Sequence, residues 1–293
     1  MFNTALIGCG YWGSKLKRYI EENRNFKLQH ICNSKSNLNE IWQDDNIDVV
    51  VVAVGNEQRY PIVRDALLYG KHVLCEKPLS LAISEAKNLK QLSLDYKLAL
   101  VVDFTWTVSR GLKKARSLIS EGAIGKLLGI EMSFKHLGRF QGGGVYWLLG
   151  SHGLSTLNMF VPLNSMKYER KDIVSHNGEI ETGVISFTDG QISGQIFLSL
   201  NYPHKTTEVI LYGSEGTIVY SPTSHHSLLL ENYTRLKWVI DSKLPKKKTH
   251  YWSNEENNLH HVMSYFANVL KGKADTNIDS TVAITEILES LQR

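Results

Sequence analysis

The chain has 293 residues, of which 42% are hydrophobic and 21% are charged, and this predicts a folded protein of two domains or one large one. Lys and Arg total 33 against 29 Asp and Glu, and the formal net charge of +4 is too small to indicate a nucleic-acid or membrane-surface partner. The longest aliphatic run, residues 49–54, is far shorter than the ~20 residues of a membrane-spanning helix. We therefore expect neither nucleic acid nor membrane as a partner.

The cysteines and the first residues indicate the cellular compartment. Cys9, Cys32 and Cys75 form no CxxC pair, which favours free thiols in a reducing environment. The N-terminal segment has neither the basic region nor the small-residue cleavage pattern of a secretory signal. We expect a cytoplasmic protein.

The first hundred residues alternate short apolar runs with longer amphipathic ones. They predict strands at 4–7, 27–32, 48–54, 72–75 and 98–102, and helices at 11–23, 38–44, 60–69 and 83–95. The third strand is so continuously aliphatic that both of its faces must be covered, as in a parallel sheet. Repeated strand–helix–strand units predict a doubly wound α/β domain over residues 1–105.

The pattern changes after residue 105. The later sequence predicts helices at 112–120, 146–160, 255–270 and 282–291, and strands at 127–134, 182–187, 192–200, 208–212, 217–220, 227–230 and 236–240. Short turns between successive strands favour an antiparallel sheet. We predict a second, α+β domain over residues 106–293, with the lysines at 246–248 in a solvated loop.

Gly8, Gly10 and Gly13 form a GxGxxG motif between the first predicted strand and the first predicted helix. In a Rossmann fold these glycines permit a tight turn and close approach of the backbone to a pyrophosphate, and the helix N-terminus offers free N–H groups. We predict that these glycines, with Tyr11 and Trp12 between them, bind a dinucleotide. The alternative is a purely structural turn between strand and helix.

The end of the second predicted strand indicates which dinucleotide is preferred. An NAD-binding fold usually carries an acid about 20 residues beyond the last glycine, where it binds the ribose 2′-hydroxyl. Here that place holds Asn33, Ser34 and Lys35, which can all donate to a 2′-phosphate. The sequence therefore predicts NADP(H) over NAD(H), unless Lys35 is an ordinary surface cation.

Glu76, Lys77 and Pro78 follow the fourth predicted strand. Ligands of open α/β sheets bind outside the carboxyl ends of the strands, so this Glu–Lys pair is well placed for a site. A surface ion pair is the alternative, and Pro78 argues against it because it stiffens the backbone where a side chain needs a fixed direction.

With these motifs the sequence resembles the Gfo/Idh/MocA oxidoreductases, the family of glucose-fructose oxidoreductase and inositol dehydrogenase. The resemblance covers the glycine motif and residues 53–56, 70–79, 121–126 and 142–144 followed by His152. It implies an N-terminal Rossmann domain and a C-terminal α+β domain whose open, mostly antiparallel sheet often mediates oligomerisation, hence a homodimer or homotetramer. It also implies hydride transfer between a nicotinamide and a carbinol or carbonyl carbon of a sugar, cyclitol or nucleotide sugar.

The resemblance implies roles for individual residues. Lys77 matches the lysine that hydrogen-bonds the reacting oxygen, and His152 matches the histidine that exchanges its proton. Val54 and Asn56 match a cofactor-contacting turn, and Glu76 would face the nicotinamide ribose or amide. Proton exchange at the hydroxyl eases departure of the hydride by about 10²- to 10⁴-fold.

The chain departs from the family pattern at two places. Leu148 stands where an aspartate usually precedes the catalytic histidine by four residues, and Arg59 stands at the place of a histidine. Catalysis through His152 therefore lacks its customary partner. Asp103, after the fifth predicted strand, and Tyr146 are candidate compensating groups, although helix capping by Asp103 and core packing by Tyr146 are the favoured alternatives.

The segment between the first strand of the second domain and the His152 helix predicts the substrate contacts. We select Lys135, Arg139 and Tyr146 there, because a cationic pair suits an anionic substrate such as a nucleotide sugar. The pairs His225–His226 and His260–His261 lack the spacing of a metal site, so no metal is predicted.

The leading interpretation is an NADP(H)-dependent oxidoreductase acting on a sugar, cyclitol or nucleotide-sugar derivative. Two alternatives stay open. One is a reductase of an imine or conjugated bond, for which a single proton donor suffices. The other is a redox-inert nucleotide-binding sensor or scaffold.

Overall fold

The computed structural model describes residues 1–138, 144–222, 227–232, 247–251 and 258–292. The chain forms two compact units, Met1–Val108 with Asn257–Arg293, and Ser109–Glu256. Among the described residues, no helix is both long enough and apolar enough to cross a membrane.

The first unit is built on a five-stranded parallel sheet in the order β2-β1-β3-β4-β5. Its strands are β1 (Phe2–Ile7), β2 (Phe26–Cys32), β3 (Val49–Val52), β4 (His72–Glu76) and β5 (Leu100–Asp103). Its helices are α1 (Tyr11–Glu22), α2 (Asn39–Trp42), α3 (Asn56–Leu68), α4 (Ile83–Asp95), α7 (Asn258–Leu270) and α8 (Ile278–Ser290). Strand β3 is completely buried, as the continuous aliphatic run predicts.

One core of the first unit lies between the sheet and helices α1 and α7. Leu6, Val51, Leu74 and Val101 come from four strands and pack in one cluster with residues of both helices. Side chains two residues apart on a strand share a face. Glu76 and Asp103, two positions beyond Leu74 and Val101, therefore lie at the carboxyl edge of this same face.

The chain returns to the first unit at its end. Phe266 of α7 is completely buried, and its ring stacks on that of Phe26 with centroids 5.8 Å apart. The side chain of Asn277 donates to the carbonyl of Val102 and accepts from its amide, which ties the start of α8 to β5. The predicted second domain, residues 106–293, therefore differs from the structure, because the apolar faces of these helices are buried against the first unit.

The second unit contains an eight-stranded sheet in the order β13-β12-β11-β10-β6-β9-β8-β7. Its strands are β6 (Leu127–Leu137), β7 (Lys167–His176), β8 (Glu179–Thr188), β9 (Ser193–Ser199), β10 (Asn201–Gly213), β11 (Gly216–Tyr220), β12 (Leu228–Asn232) and β13 (Lys247–Tyr251). Only the β6–β9 pairing is parallel among these strands, so the sheet is mostly antiparallel as predicted. Its helices are α5 (Arg110–Ser120), a π-helical segment (Tyr146–Gly150) and α6 (Ser151–Leu157).

The structure differs from the sequence prediction most clearly at β7, β13 and the start of α3. Strand β7 was not predicted, because most of its side chains are exposed and no alternation marks it. Strand β13 begins at Lys247, where a solvated loop was predicted. Helix α3 begins at Asn56 rather than at residue 60, and Pro61, which favours a helix start, lies inside it. The predicted strand at 236–240 lies outside the described residues.

Candidate functional site

The glycine motif forms the turn from β1 into α1. Gly8 has a φ of +90°, and its amide donates to the carbonyl of Cys32 at 2.9 Å. A Cβ at Gly8 would lie 2.5 Å from the carbonyl oxygen of Ala53, and a Cβ at Gly13 would lie 1.9 Å from that of Gly8. Packing of the chain on itself therefore explains both glycines.

Gly10 has no such explanation within the protein. It is the N-cap residue of α1, with an ordinary negative φ of −75°. Apart from its chain neighbours, no heavy atom of the described part of the chain lies within 4 Å of where its Cβ would be. The fold does not require a glycine here. A residue without a side chain at the N-terminus of a helix allows a pyrophosphate to approach the backbone closely. The turn therefore fits a dinucleotide, and the binding role of Gly8, Gly10 and Gly13 stays a prediction.

Two aromatic side chains begin α1 directly after this turn. Tyr11 and Trp12 are about half exposed, and their rings meet edge to face with centroids 5.3 Å apart. The ammonium of Lys15 lies 4.2 Å from the Tyr11 ring centre and 4.6 Å from that of Trp12, and it donates to the Tyr11 hydroxyl at 2.8 Å. These contacts place a cation one turn into the helix that begins at the glycine turn.

The predicted ribose-recognition residues lie together in the loop after β2. Asn33, Ser34 and Lys35 are all exposed. The Asn33 side-chain oxygen accepts from the backbone amide of Lys35 at 2.9 Å, and the Asn33 amide donates to the hydroxyl of Ser36 at 3.0 Å. The loop is thus held by its own hydrogen bonds, while the Lys35 side chain extends from an ordered turn.

Arg59 connects two segments at the carboxyl edge of the sheet. Its guanidinium is buried, donates to the carbonyl oxygen of Val54 at 2.7 Å and to the side-chain oxygen of Asn56 at 2.8 Å, and also donates to the carbonyl oxygen of Pro78. Val54 and Asn56, both predicted cofactor contacts, are therefore joined to the residue that follows Lys77. The sequence marked Arg59 as a departure from the family pattern, and only the structure shows this function.

Glu76, Lys77 and Asp103 form a charged cluster where β4 and β5 end. Glu76 and Asp103 are register partners on the two strands, and both are buried. The Asp103 carboxylate accepts from the Thr105 hydroxyl at 3.0 Å through Oδ1, whereas within the described residues Oδ2 is buried without a hydrogen-bond partner. The peptide bond between Lys77 and Pro78 is cis.

Burial shifts the ionisation of all three groups. It lowers the pKa of Lys77 to about 8, although the negative charges of Glu76 and Asp103 oppose the fall. It raises the pKa of the Glu76 carboxyl, which the charges of Lys77 and Arg59 partly offset. The pKa of the Asp103 carboxyl lies well above its ordinary value because of burial and, second, the charge of Glu76. A lysine that ionises near neutral pH can give up and regain a proton.

His152 lies in the second unit, at the start of α6. Its ring stacks on that of Phe134 with centroids 6.4 Å apart, and its carbonyl accepts from the Ser155 hydroxyl at 3.0 Å. Leu148 lies one turn earlier, in the π-helical segment. The histidine therefore sits on the helix-covered side of the sheet, and its predicted role in proton exchange stays a prediction.

The structure separates Tyr146 and Lys135, two of the three predicted substrate contacts. Tyr146 is buried, and its hydroxyl donates to the Asp172 carboxylate at 2.8 Å, so this hydroxyl serves the packing of β7. Lys135 follows Phe134 on β6 and so points to the sheet face opposite His152, with its ammonium 4.6 Å from the ring centre of Tyr202. Arg139 lies outside the described residues.

One of the two histidine pairs lies in the part of the chain that the structure describes. His260 and His261 are adjacent residues of α7, and their rings are edge to face 5.7 Å apart. Throughout the described segments, no group of three or more metal-ligating side chains comes together. The other pair, His225 and His226, lies outside the described residues.

The fold and the glycine turn define a class, the dinucleotide-binding oxidoreductases with a Rossmann domain. The family model for the oxidoreductase family with an NAD-binding Rossmann fold matches residues 2–104, and the GFO/IDH/MocA C-terminal domain matches residues 112–219. The chain therefore belongs to the Gfo/Idh/MocA family of NAD(P)-dependent oxidoreductases, as the motifs indicated.

Among curated proteins, a 2,7-anhydro-N-acetylneuraminate hydratase of Escherichia coli is 27% identical over 142 residues, which cover 44% of this chain and 38% of the relative. The chain thus matches less than half the length of such relatives. A 3-ketoreductase from Actinomadura kijaniata, solved with TDP-benzene and NADP, is similar with a TM-score of 0.84 and 15% identity. The match covers 99% of this chain and 96% of the ketoreductase. A protein of gentamicin A biosynthesis, solved with NAD, is similar with a TM-score of 0.84 and 20% identity. The match covers 100% of this chain and 93% of that protein. These two similarities show the fold.

Proposed function

We propose that this protein is an NADP(H)-dependent oxidoreductase that transfers hydride to or from a carbinol or carbonyl carbon of a sugar, cyclitol or nucleotide-sugar derivative. The observation that carries the proposal is Gly10, a glycine that no packing of the chain requires, at a helix N-terminus of an NAD-binding fold. Lys77, at the carboxyl edge of the same sheet, is the group that serves the reacting oxygen.

Lys77 provides proton transfer at the reacting oxygen. A bound nicotinamide supplies or accepts the hydride. In the direction of reduction, Lys77 donates a hydrogen bond to the carbonyl oxygen and then gives up its proton, which its lowered pKa of about 8 makes easy near neutral pH. In the direction of oxidation, the neutral amine accepts the proton of the hydroxyl. Arg59 fixes the backbone just after Lys77 and the backbone just before α3, because it donates to the carbonyl oxygens of Pro78 and Val54.

The preference for NADP(H) rests on the loop after β2. This loop has no carboxylate that would repel a 2′-phosphate. Its residues Asn33, Ser34 and Lys35 are all exposed, and hydrogen bonds fix the turn. The solved 3-ketoreductase of this fold holds NADP, and the gentamicin-pathway protein holds NAD, so the fold itself accommodates both cofactors. The charge of this loop is therefore the feature that sets the preference.

The substrate class follows from the family and its named relatives. One relative is named a 2,7-anhydro-N-acetylneuraminate hydratase, and the 3-ketoreductase was solved with TDP-benzene and NADP, which supports a sugar or nucleotide-linked substrate for this chain. A reductase of an imine or conjugated bond is the second candidate, because Leu148 removes the usual acid before His152 and leaves Lys77 as the one proton donor of the motif. A screen of NADPH oxidation over sugars, nucleotide sugars and cyclic imines separates the two.

Calorimetric titration of nucleotide-stripped protein with NADPH and NADH tests the proposal. We expect NADPH to bind more tightly. Lys35→Ala should weaken NADPH by about 10- to 100-fold, the loss of one hydrogen bond to a charged group, and leave NADH nearly unchanged. Lys27→Ala, an exposed lysine on β2, is the matched control and should change neither affinity. Failure of both nucleotides to bind would favour the scaffold alternative, and equal effects of Lys35→Ala on the two affinities would contradict the 2′-phosphate assignment.

We also propose that the protein forms a homodimer or homotetramer through the face of the second-unit sheet opposite α6. Tyr202 and Tyr212 on that side of β10 are each 38% exposed, and Lys135 and Phe197 lie beside Tyr202. Light scattering after size exclusion should give two or four times the chain mass. Tyr202→Glu should lower that mass, whereas Leu94→Glu, an exposed apolar residue of the first unit, should not. A wild-type monomer at micromolar concentration would refute the interface.

A further inference from the structure

Two carboxyl groups end adjacent strands beside Lys77. Glu76 closes β4 and Asp103 closes β5, and the sheet register pairs them directly. Both side chains lie on the same sheet face, because each is two residues beyond a core residue of that face. Two neighbouring buried carboxyl groups resist ionising together, since like charges repel strongly out of water. The pair therefore holds a proton.

The surroundings place that proton on Asp103. The Glu76 carboxylate accepts from the backbone amide of Lys77 and faces the positive charges of Lys77 and Arg59, all of which favour its ionised form. Asp103 is only 2% exposed, and within the described residues its Oδ2 has no hydrogen-bond partner. Both forms leave this buried oxygen without a partner in the described residues, but the ionised form also buries a negative charge and is therefore the more costly of the two.

We propose that Asp103 is the proton-holding partner of Lys77, in place of the aspartate that Leu148 replaces in the family pattern. This rests on the proposed function. When the ammonium of Lys77 gives its proton to the reacting oxygen, the amine becomes neutral. The Asp103 carboxyl then releases its own proton to the amine through a bridging water molecule, because its Oδ2 has no direct hydrogen-bond partner among the described residues, and the resulting carboxylate regains a proton from solvent. One hydride and one proton reach the substrate, both residues are regenerated, and oxidation reverses the steps. Asp103 is a positioning residue, because it acts through Lys77.

The other groups that face Asp103 and Lys77 fit this assignment. Arg59, from α3, is a permanent cation whose charge favours the ionised Glu76. The Cys75 thiol is neutral because burial raises its pKa to about 12. The Thr105 hydroxyl donates to Oδ1 of Asp103 and so opposes the protonated form without outweighing burial.

Infrared spectroscopy of the nucleotide-free protein tests where the proton resides. At pH 7 the wild type should show the carbonyl stretch of a buried protonated carboxyl group, and Asp103→Asn should remove it. Asp279→Asn is the matched control, because that carboxylate is exposed on α8 and pairs with Lys90, so the band should persist. A wild type without the band, or a band that survives in Asp103→Asn, overturns the proposal.

The titration of Lys77 tests the coupling. Its ionisation is measured from the pH dependence of its modification by an amine-reactive reagent, located by mass spectrometry. We expect the midpoint to fall by about half a pH unit or more in Asp103→Asn, because the carboxylate that supports the ammonium at alkaline pH is gone. Thr105→Val, which retains the carboxyl group and disfavours its ionisation, should shift the midpoint in the same direction and serves where Asp103→Asn does not fold. An unchanged midpoint in both variants overturns the proposal.

These measurements separate the inference from the proposed function, because they use no nucleotide. A shifted Lys77 midpoint in a protein that binds neither NADPH nor NADH would uphold the Asp103–Lys77 coupling and reject the oxidoreductase role. Where NADPH binds, Asp103→Asn should leave its dissociation constant within about twofold, since Asp103 acts on the proton and not on nucleotide affinity. A large loss of affinity would assign Asp103 to cofactor binding instead.

Discussion

At the scale of single residues, the three glycines of the β1–α1 turn have different physical reasons. Gly13 is required by the chain itself, because a Cβ there would lie 1.9 Å from the carbonyl oxygen of Gly8. Gly10 has an ordinary φ and open space around its missing side chain. A methyl group at position 10 would instead occupy the place where a pyrophosphate approaches the backbone. A substitution at position 13 therefore tests folding, and a substitution at position 10 tests nucleotide binding.

We expect Gly10→Ala to change the free energy of unfolding by no more than about 0.5 kcal/mol, as for other substitutions without steric conflict, and to weaken NADPH at least tenfold. Gly13→Ala should instead cost about 1–3 kcal/mol of stability, because α1 must move away from the turn. Urea denaturation and calorimetry measure the two effects. Full NADPH affinity in Gly10→Ala would remove the main support for the nucleotide site.

At the scale of elements, Arg59 joins the start of α3 to the segment after β4. Arg59→Ala would leave the buried carbonyl oxygen of Pro78 without its donor, at a cost of about 1–3 kcal/mol, and would also remove the bond to the partly buried carbonyl of Val54. We expect a loss of at least about 2 kcal/mol in urea denaturation. Arg64→Ala is the control on the same helix, since Arg64 is partly exposed and contacts only side chains near it on that helix, Asp65 and the Tyr60 ring, among the described residues, and it should cost less than about 0.5 kcal/mol. Equal losses of stability in the two variants would show that the hydrogen bonds of Arg59 to Val54 and Pro78 do not stabilise the fold.

The elements also show what a sequence can reveal. Buried strands such as β3 and the glycine turn are predictable because their signals are local: an unbroken aliphatic run, and glycines at fixed spacing after a strand. Strand β7 is not, because its exposed side chains carry no alternation. The Glu76–Asp103 pair depends on which strands are neighbours, and the Arg59 contact with Pro78 joins residues 19 apart, so neither follows from spacing. The sequence indicates Asp103 as a candidate compensating group but not that it pairs with Glu76.

At the scale of the whole molecule, the C-terminal helices complete the first unit rather than the second. Phe266 is completely buried against Phe26, and Asn277 bonds to the backbone of β5. Phe266→Ala should cost about 3–5 kcal/mol, the usual cost of deleting a buried aromatic ring. Leu94→Ala, 56% exposed on α4, is the control and should cost little. Hydrogen exchange followed by mass spectrometry should speed up within residues 1–108 of Phe266→Ala and stay unchanged across residues 144–222. Faster exchange confined to the second unit would instead support the domain division that the sequence pattern predicts.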